Sequence, residues 1–305
     1  MKKIILLFII IGFFVIMLIF PRQTFEGASN GLLLWFQIIL PTLLPFIILS
    51  NLLIHTNAVS YITTIIKPLV QRLFCVSDYG CYAVFVGFLC GYPMGAKVVA
   101  DLIQTNKISK NEGQYLLSFC NNTSPMFIIS FIVMQNFKNE SLLLGTLVIL
   151  YLAPTLCSFL FRRFYRINKR SFIETFSSKE GFLFDFHLFD TCIMNGFETI
   201  TKVGGYIILF SILFALSKQF PLIWFLPTLE ISCGITYITS LGIPLDILFP
   251  YALSLTTFGG FCAIAQTNSM IQESKLSILP YIIQKLITTM VTSLLAFVYI
   301  QFIHQ

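Results

Sequence analysis

The sequence predicts an all-α, polytopic membrane protein with about seven full spans and two re-entrant helical hairpins in an inverted repeat. Its composition is the first reason: of 305 residues, 57% are hydrophobic and 10% charged, whereas a typical soluble domain has about 25% charged residues. The second reason is that apolar runs of about 20 residues recur along the chain. The third is that some of these runs are interrupted near their centres by Gly, Pro or polar residues.

The uninterrupted or weakly interrupted runs define the predicted full spans. Because every backbone polar group in hydrocarbon needs an internal partner, we expect these runs to be helical. The first follows Lys2 and Lys3 and could be a secretory signal, but no A-x-A-like cleavage site follows it, so a retained span is favoured. The predicted spans are 4–20, 31–54, 112–135, 141–161, 203–217, 245–270 and 278–303.

Two further apolar stretches, 81–104 and 219–241, are predicted to be re-entrant hairpins. They are broken at 91–93 (Gly-Tyr-Pro) and at 230–234 (Glu-Ile-Ser-Cys-Gly). Such residues release backbone groups from the helix, and membranes tolerate this only where protein or a watery cavity satisfies those groups. Between the second span and the first hairpin, the amphipathic stretch 61–74 is expected to lie along the membrane surface.

Positive charge predicts the orientation of a single membrane domain that comprises residues 1–305. The stretch 162–202 begins with a cluster of Arg and Lys and is predicted to be a cytoplasmic loop, on the same side as the N-terminus. Most of the 19 Lys and Arg residues then fall on that side. Treating either hairpin as a full span would reverse the orientation of the chain beyond it, so the charge count supports this topology without being independent of it.

The predicted topology divides the domain into a first half, 31–161, and a second half, 203–303. The first hairpin opens from the cytoplasm and the second from outside, and each precedes a span with an interrupted, polar centre, 112–135 or 245–270. A weak sequence echo accompanies this arrangement, since Cys-Gly occurs at both hairpin breaks. Inverted repeats with broken helices that meet near the midplane are typical of secondary transporters.

Candidate solute-binding residues in the first half lie at these breaks. In the first hairpin, closely spaced glycines, among them Gly91 beside Tyr92, permit close backbone approach and Lys97 adds a cation, a combination that favours an anion. The alternative is that the glycines serve helix packing and Lys97 extends to a headgroup. The span that follows supplies a polar run that either faces solute or makes interhelical hydrogen bonds; its members are Asn121, Asn122, Thr123 and Ser124.

In the second half, Glu230 is an ionisable group at membrane depth and therefore a functional candidate. Its partner would be Lys97 or a transported cation, unless it is protonated or reaches water. The remaining candidates lie beside it or on the next span, where the glycines would equally serve close packing: Ser232, Thr257, Gly259, Gly260 and Gln266. Lys285, near the cytoplasmic end of the last span, is expected to snorkel and is left out of the site.

The sequence argues against an enzyme. It has three His and lacks the H-E-x-x-H, G-x-S-x-G, Walker and dinucleotide-binding motifs. Its eight Cys include no C-x-x-C pair, which predicts no metal site, and no buried Cys has a nearby His in sequence to activate it as a nucleophile. We expect no cofactor and no nucleic-acid partner, since the positive excess lies beside membrane spans.

Four blocks resemble the sporulation integral membrane proteins of the YlbJ type: C-G-Y-P-M-G-A-K at 90–97, C-N-N-T-S-P-M-F-I-I at 120–129, L-E-I-S-C-G at 229–234 and F-G-G at 258–260. They also look like the Gate domain of concentrative nucleoside transporters. The resemblance implies a protein of the bacterial cell or forespore membrane, in a family with members linked to dipicolinate movement into the developing spore.

Two functions follow as expectations. The first is a transporter or facilitator, partnered by the lipid bilayer, that moves a small anionic solute such as a dicarboxylate, with a coupling cation as a further option. The second is a membrane assembly factor or docking platform, whose basic loop 162–202 binds a partner or anionic lipid.

Overall fold

The structure, a computed structural model, describes residues 2–56, 59–167, 186–218, 220 and 224–303. These residues form helices and no strand. The α-helices are α1 (Lys2–Ile19), α2 (Pro21–Leu34), α3 (Leu40–His55), α4 (Val59–Phe74), α5 (Asp78–Cys90), α6 (Met94–Gln104), α7 (Lys110–Cys120), α8 (Leu143–Phe164), α9 (Phe186–Ser217), α10 (Ile231–Ser240), α11 (Leu245–Phe258), α12 (Gly260–Ile271) and α13 (Ile278–Ile303). Two π-helical segments, Trp35–Ile39 and Phe127–Phe137, complete the main elements.

Five helical segments of the described chain are long and apolar enough to cross a membrane. They are Pro21–His55, Glu140–Phe164, Phe186–Ser217, Leu245–Ile271 and Ile278–Phe302. A sixth is obtained if Thr63–Phe74 and Asp78–Cys90, which meet at an angle of 91°, are counted together. The prediction of a multi-pass helical membrane protein is therefore confirmed, while the number of seven spans stays a prediction.

The first predicted run, 4–20, corresponds to α1 (Lys2–Ile19). One predicted boundary differs from the structure. The loop predicted over 162–202 is too long, because α8 continues to Phe164 and α9 begins at Phe186 rather than at residue 203. Buried side chains recur at helical spacing through 192–203, which explains the earlier start of α9. Residues 168–185, which hold the rest of that loop, lie outside the described residues.

The first predicted hairpin corresponds to α5 and α6, which pack against each other across the break at 91–93. Gly91 adopts φ +84°, a left-handed conformation that favours glycine. The second hairpin is less regular than predicted: a short 3₁₀ turn, Leu226–Thr228, precedes α10, and residues 219 and 221–223 lie outside the description. How deeply either hairpin enters a membrane stays a prediction.

The two broken spans run in opposite directions. Where the first begins, Gln114 Nε2 donates to Ser277 O (2.9 Å), next to the start of α13. Near its other end, Asn136 Oδ1 accepts from Thr239 Oγ1 (3.2 Å), close to the start of α11. The second broken span, formed by α11 and α12, starts at the end of the bundle that holds Asn136 and Thr239. It finishes near Glu273, at the end that holds Gln114 and Ser277. The polar breaks of both spans consequently lie in the middle of the bundle.

Candidate functional site

The first hairpin is joined to the break of the following span by backbone contacts. Tyr92 N donates to Asn122 O (2.6 Å). A Cβ added at Gly87 or Gly95 would lie 1.9 or 2.5 Å from Cys120 O, so both glycines are required for this close approach. The hairpin glycines could serve anion binding or close packing, and at Gly87 and Gly95 the structure shows close packing.

The second hairpin meets its broken span in a comparable way. Cys262 N donates to Leu229 O (3.0 Å), and a Cβ at Gly260 would lie 2.9 Å from Thr228 O. Gly259 and Gly260 both have φ +78°, so α11 ends and α12 begins through two left-handed residues. In each half, a hairpin break is thus hydrogen-bonded to a span break.

The two halves also contact each other at the breaks. Thr123 Oγ1 donates to Thr256 O (3.0 Å), and Asn121 Nδ2 donates to Thr267 Oγ1 (2.9 Å). The ring of Tyr92 lies close to Gly259, whose added Cβ would be 3.6 Å from it. All four interrupted segments therefore converge on one region.

A cavity of about 100 Å³ lies at this point of convergence. Its polar wall combines groups from all four breaks, and α2, α3, α9 and the Trp35–Ile39 π-helix supply most of its apolar wall. Eight of the residues predicted from the sequence line it: Gly91, Tyr92, Thr123, Ser124, Glu230, Ser232, Gly259 and Gln266. We call it the central cavity.

Glu230 is the one Asp, Glu, Lys, Arg or His among the described residues that line the central cavity. It is 3% exposed. Its carboxylate Oε2 accepts from Cys233 N (2.8 Å) and so caps the N-terminus of α10. The structure does not pair it with Lys97. The cavity can therefore offer hydroxyl groups, a side-chain amide and a carboxylate to a small solute.

Comparison with known proteins yields one informative relative. Sporulation integral membrane protein YlbJ of Bacillus subtilis (strain 168) is 27% identical over an alignment of 309 residues, which covers 88% of this chain and 75% of that protein. No family model and no solved structure matches the chain. The similarity supports the resemblance to the YlbJ type and is consistent with a sporulation-associated integral membrane protein.

Five predicted site residues lie outside the wall of the central cavity. Asn121 makes interhelical hydrogen bonds, since it donates to Tyr281 Oη (3.0 Å) as well as to Thr267. Thr257 donates to Thr292 of α13 (2.9 Å), and Gly260 packs against the second hairpin. The backbone oxygen of Asn122 accepts from Tyr92 N at the tip of the first hairpin. For these residues the structure shows the packing and hydrogen-bonding roles that the sequence left open.

Lys97, the fifth of these residues, forms an ion pair with Asp101 one turn along α6. The two side chains are 20% and 16% exposed. The sequence offered Glu230 as the partner of Lys97, but helical spacing of four residues places Asp101 beside it instead. Lys97 lines a second cavity, separate from the central one.

Lys285 is a residue that the sequence reasoning misplaced. We expected it to snorkel, yet it is 2% exposed, and its Nζ donates to Asn122 Oδ1 (3.1 Å). It is two turns from the start of α13, but other elements of the bundle cover it. The signal available in the sequence was the pair Gln284-Lys285, a polar dipeptide in an apolar span.

The described residues contain no group of three or more His, Cys, Asp and Glu side chains that could hold a metal ion. The eight Cys are free, and six of them are buried. The cavity walls missed by the sequence reasoning are mainly apolar residues of α2, α3 and α9, including Leu34, Leu43 and Ile207. Nothing in their local sequence separates them from lipid-facing positions.

Proposed function

We propose that this protein transports a small solute across a bacterial cell or forespore membrane, and that the central cavity is its binding site. The observation that carries the proposal is the convergence of both hairpin breaks and both span breaks on one cavity. It is further supported by the opposite directions of the two broken spans, which the predicted inverted repeat requires. Broken helices that meet in the middle of a membrane present unpaired backbone groups and side chains to solute.

The chemistry of the cavity bears on the charge of the solute. The resemblance to the YlbJ type favours a small dicarboxylate, but the ionisable group on the wall is Glu230. Two like unit charges 4 Å apart repel by about 4 kcal/mol at an effective dielectric constant of about 20. We therefore propose that an anionic solute binds together with a proton or a small cation, and that Glu230 receives it.

Uptake by purified protein in liposomes tests this function. Radiolabelled dipicolinate, other dicarboxylates and nucleosides would be offered under proton and sodium gradients. We expect uptake of at least one carboxylate, and we expect Ser124→Val and Gln266→Leu to reduce it because both side chains line the cavity. Ser240→Ala, at the exposed end of α10, is the matched control.

The docking-platform alternative is tested in the same assay. Arg163→Gln and Arg166→Gln together remove positive charge at the start of the basic loop, and under the transport proposal uptake remains unchanged. Inserted protein that takes up none of these solutes, or cavity variants that transport as well as the wild type, would overturn the proposal. Loss of function on loop neutralisation alone would favour docking.

A further inference from the structure

A second cavity, of about 320 Å³, lies beside α6 and α12 at the end of the bundle that carries the loops after these helices. Gln104 and Glu273, whose side chains are hydrogen-bonded (3.1 Å), mark that end. The positive-inside tendency predicts it to be cytoplasmic. In contrast to the central cavity, it is lined mainly by polar and charged side chains. We call it the polar cavity.

The polar cavity and the central cavity lie along the same helices. On α3, Leu43 lines the central cavity and Asn51 lines the polar one, eight residues or about 12 Å further along the axis. On α12, Gln266 lines the first and Ser269 the second. Residue Lys202 of α9 lines the polar cavity, and the next residue lines the central one. The two cavities are therefore stacked along one direction.

Charged groups make the polar cavity suitable for water and polar solutes. The Lys97–Asp101 pair lies on its wall and is mostly buried, whereas the Lys202–Glu198 pair is 51% and 65% exposed and marks the opening to solvent. Ionisable side chains within a membrane bundle generally face water-filled cavities or transport paths.

Asn51 gives independent evidence for a hydrated interior. It is 5% exposed, lines the polar cavity, and its Nδ2 has no hydrogen-bond partner within the described structure. A buried amide donor without an acceptor destabilises the fold, so an acceptor is expected to enter the cavity. Water or an oxygen of a passing solute would supply it.

An apolar layer separates the two cavities. Ile47 is 1% exposed and lies on α3 one turn from both Leu43 and Asn51. Val203 and Met270 are also buried and belong to the same apolar cluster. Val203 lines the central cavity and Met270 lines the polar cavity, so together with Ile47 they form the apolar boundary between the two cavities on α9, α12 and α3.

We propose that the polar cavity is the hydrated access path from the predicted cytoplasmic end to the central cavity, closed in this conformation by Ile47, Val203 and Met270. The inference rests on the proposed transport function, because it assigns the route to that same binding site. It would admit small hydrated solutes and their accompanying ion. Helix α6 borders the polar cavity and begins just after the hairpin tip in the central cavity, so its movement affects both.

Thiol labelling in oriented membrane vesicles tests this path. Single Ser269→Cys and Ser124→Cys variants, in a chain whose native cysteines are replaced, would be exposed to a charged, membrane-impermeant methanethiosulfonate from each side. We expect rapid modification of Ser269→Cys from the cytoplasmic side and slow modification of Ser124→Cys. A parallel set in the natural background, corrected for wild-type labelling, covers failure of the cysteine-free chain to fold.

A smaller side chain in the apolar layer provides a second test of the path, again measured as a labelling rate. Ile47→Ala should raise the labelling rate of Ser124→Cys from the cytoplasmic side about tenfold, which corresponds to a shift of about 1.4 kcal/mol, while Ser269→Cys labelling stays constant. Ile132→Ala, an equally buried position in another cluster, is the matched control. An equal effect of Ile132→Ala, or no effect of Ile47→Ala, would overturn the gate.

Labelling requires no substrate, so the two proposals can fail separately. Unreactive Ser269→Cys, or reaction only from the opposite side, would contradict the access path even if uptake is normal. Expected labelling with no uptake of any solute would count against the transport function alone.

Discussion

Lys285 Nζ donates to the side chain of Asn122 (3.1 Å), while the backbone oxygen of the same Asn122 accepts from Tyr92 N at the tip of the first hairpin. Lys285 forms no ion pair with any Asp or Glu of the described chain. Its ammonium group lies 5.9 Å from the ring centre of Tyr281. A buried cation thus orients the residue on which the hairpin tip rests.

The Lys285–Asn122 contact is expected to show strong energetic coupling. Asn122→Leu leaves the buried ammonium without its acceptor, whereas Lys285→Met removes the charge that needs it. We expect the double variant to be more stable than Asn122→Leu alone, with a coupling energy of about 1–3 kcal/mol. Unfolding in mixed micelles of the four proteins in this cycle measures it, and strictly additive effects would contradict the contact.

Gly87→Ala is expected to destabilise the fold. The new Cβ would lie 1.9 Å from Cys120 O, so the backbone of α5 or of the span break must move. We expect a loss of about 1–3 kcal/mol and faster proteolysis. Gly205→Ala, where no atom lies within 4 Å, is the control and should change stability by no more than about 1 kcal/mol. Equal stability of both variants would show that α5 does not pack as described.

Substitution of Glu230 separates its capping role from its charge. Glu230→Gln keeps a side-chain oxygen that can accept from Cys233 N, so its stability should stay close to that of the wild type. Glu230→Leu loses the cap and should cost about 1 kcal/mol. Uptake in liposomes should fall in both variants if the carboxylate receives a proton or cation. Undiminished uptake by Glu230→Gln would contradict the proposal that the carboxylate of Glu230 receives a proton or cation.

The Lys97–Asp101 pair should behave as a partly buried structural pair. Lys97→Met leaves the Asp101 carboxylate without its cation and should cost about 1–3 kcal/mol, less than for a fully buried pair because both side chains retain some solvent contact. Adding Asp101→Leu should recover part of this loss. Lys202→Met breaks an exposed pair with the same spacing and should cost about 0.5 kcal/mol or less. Similar losses in the two single variants would contradict this difference.

The helices and the breaks could be predicted because their signals are local. Long apolar runs gave the five long helices, and the Gly-Tyr-Pro and Gly-Gly sequences gave the positions of the breaks. The convergence of the breaks followed from topology, since opposite broken spans bring their centres together. Eight of the thirteen candidate residues line the central cavity for that reason.

The remaining errors concern which neighbour a side chain finds. Lys97 is one of the two partners that the sequence offers for Glu230, the other being a transported cation, but Asp101 is one helical turn away from Lys97 and forms the pair. Lys285 was assigned to the interface from its distance to the end of α13, a rule that holds only for a helix surrounded by lipid. Covering by other helices is a property of the assembled bundle and leaves no pattern in a single segment.

The hydrogen bonds between hairpin and span, Tyr92 N to Asn122 O and Cys262 N to Leu229 O, constrain how the site can change access. A hairpin that swings alone must break such a bond inside the bundle, where no water replaces it at once. A hairpin that keeps the bond moves together with half of a broken span. In that case the moving unit in each half is a hairpin plus a span segment. Spectroscopic distance probes should then be placed between those units and α9 rather than on the hairpin tips.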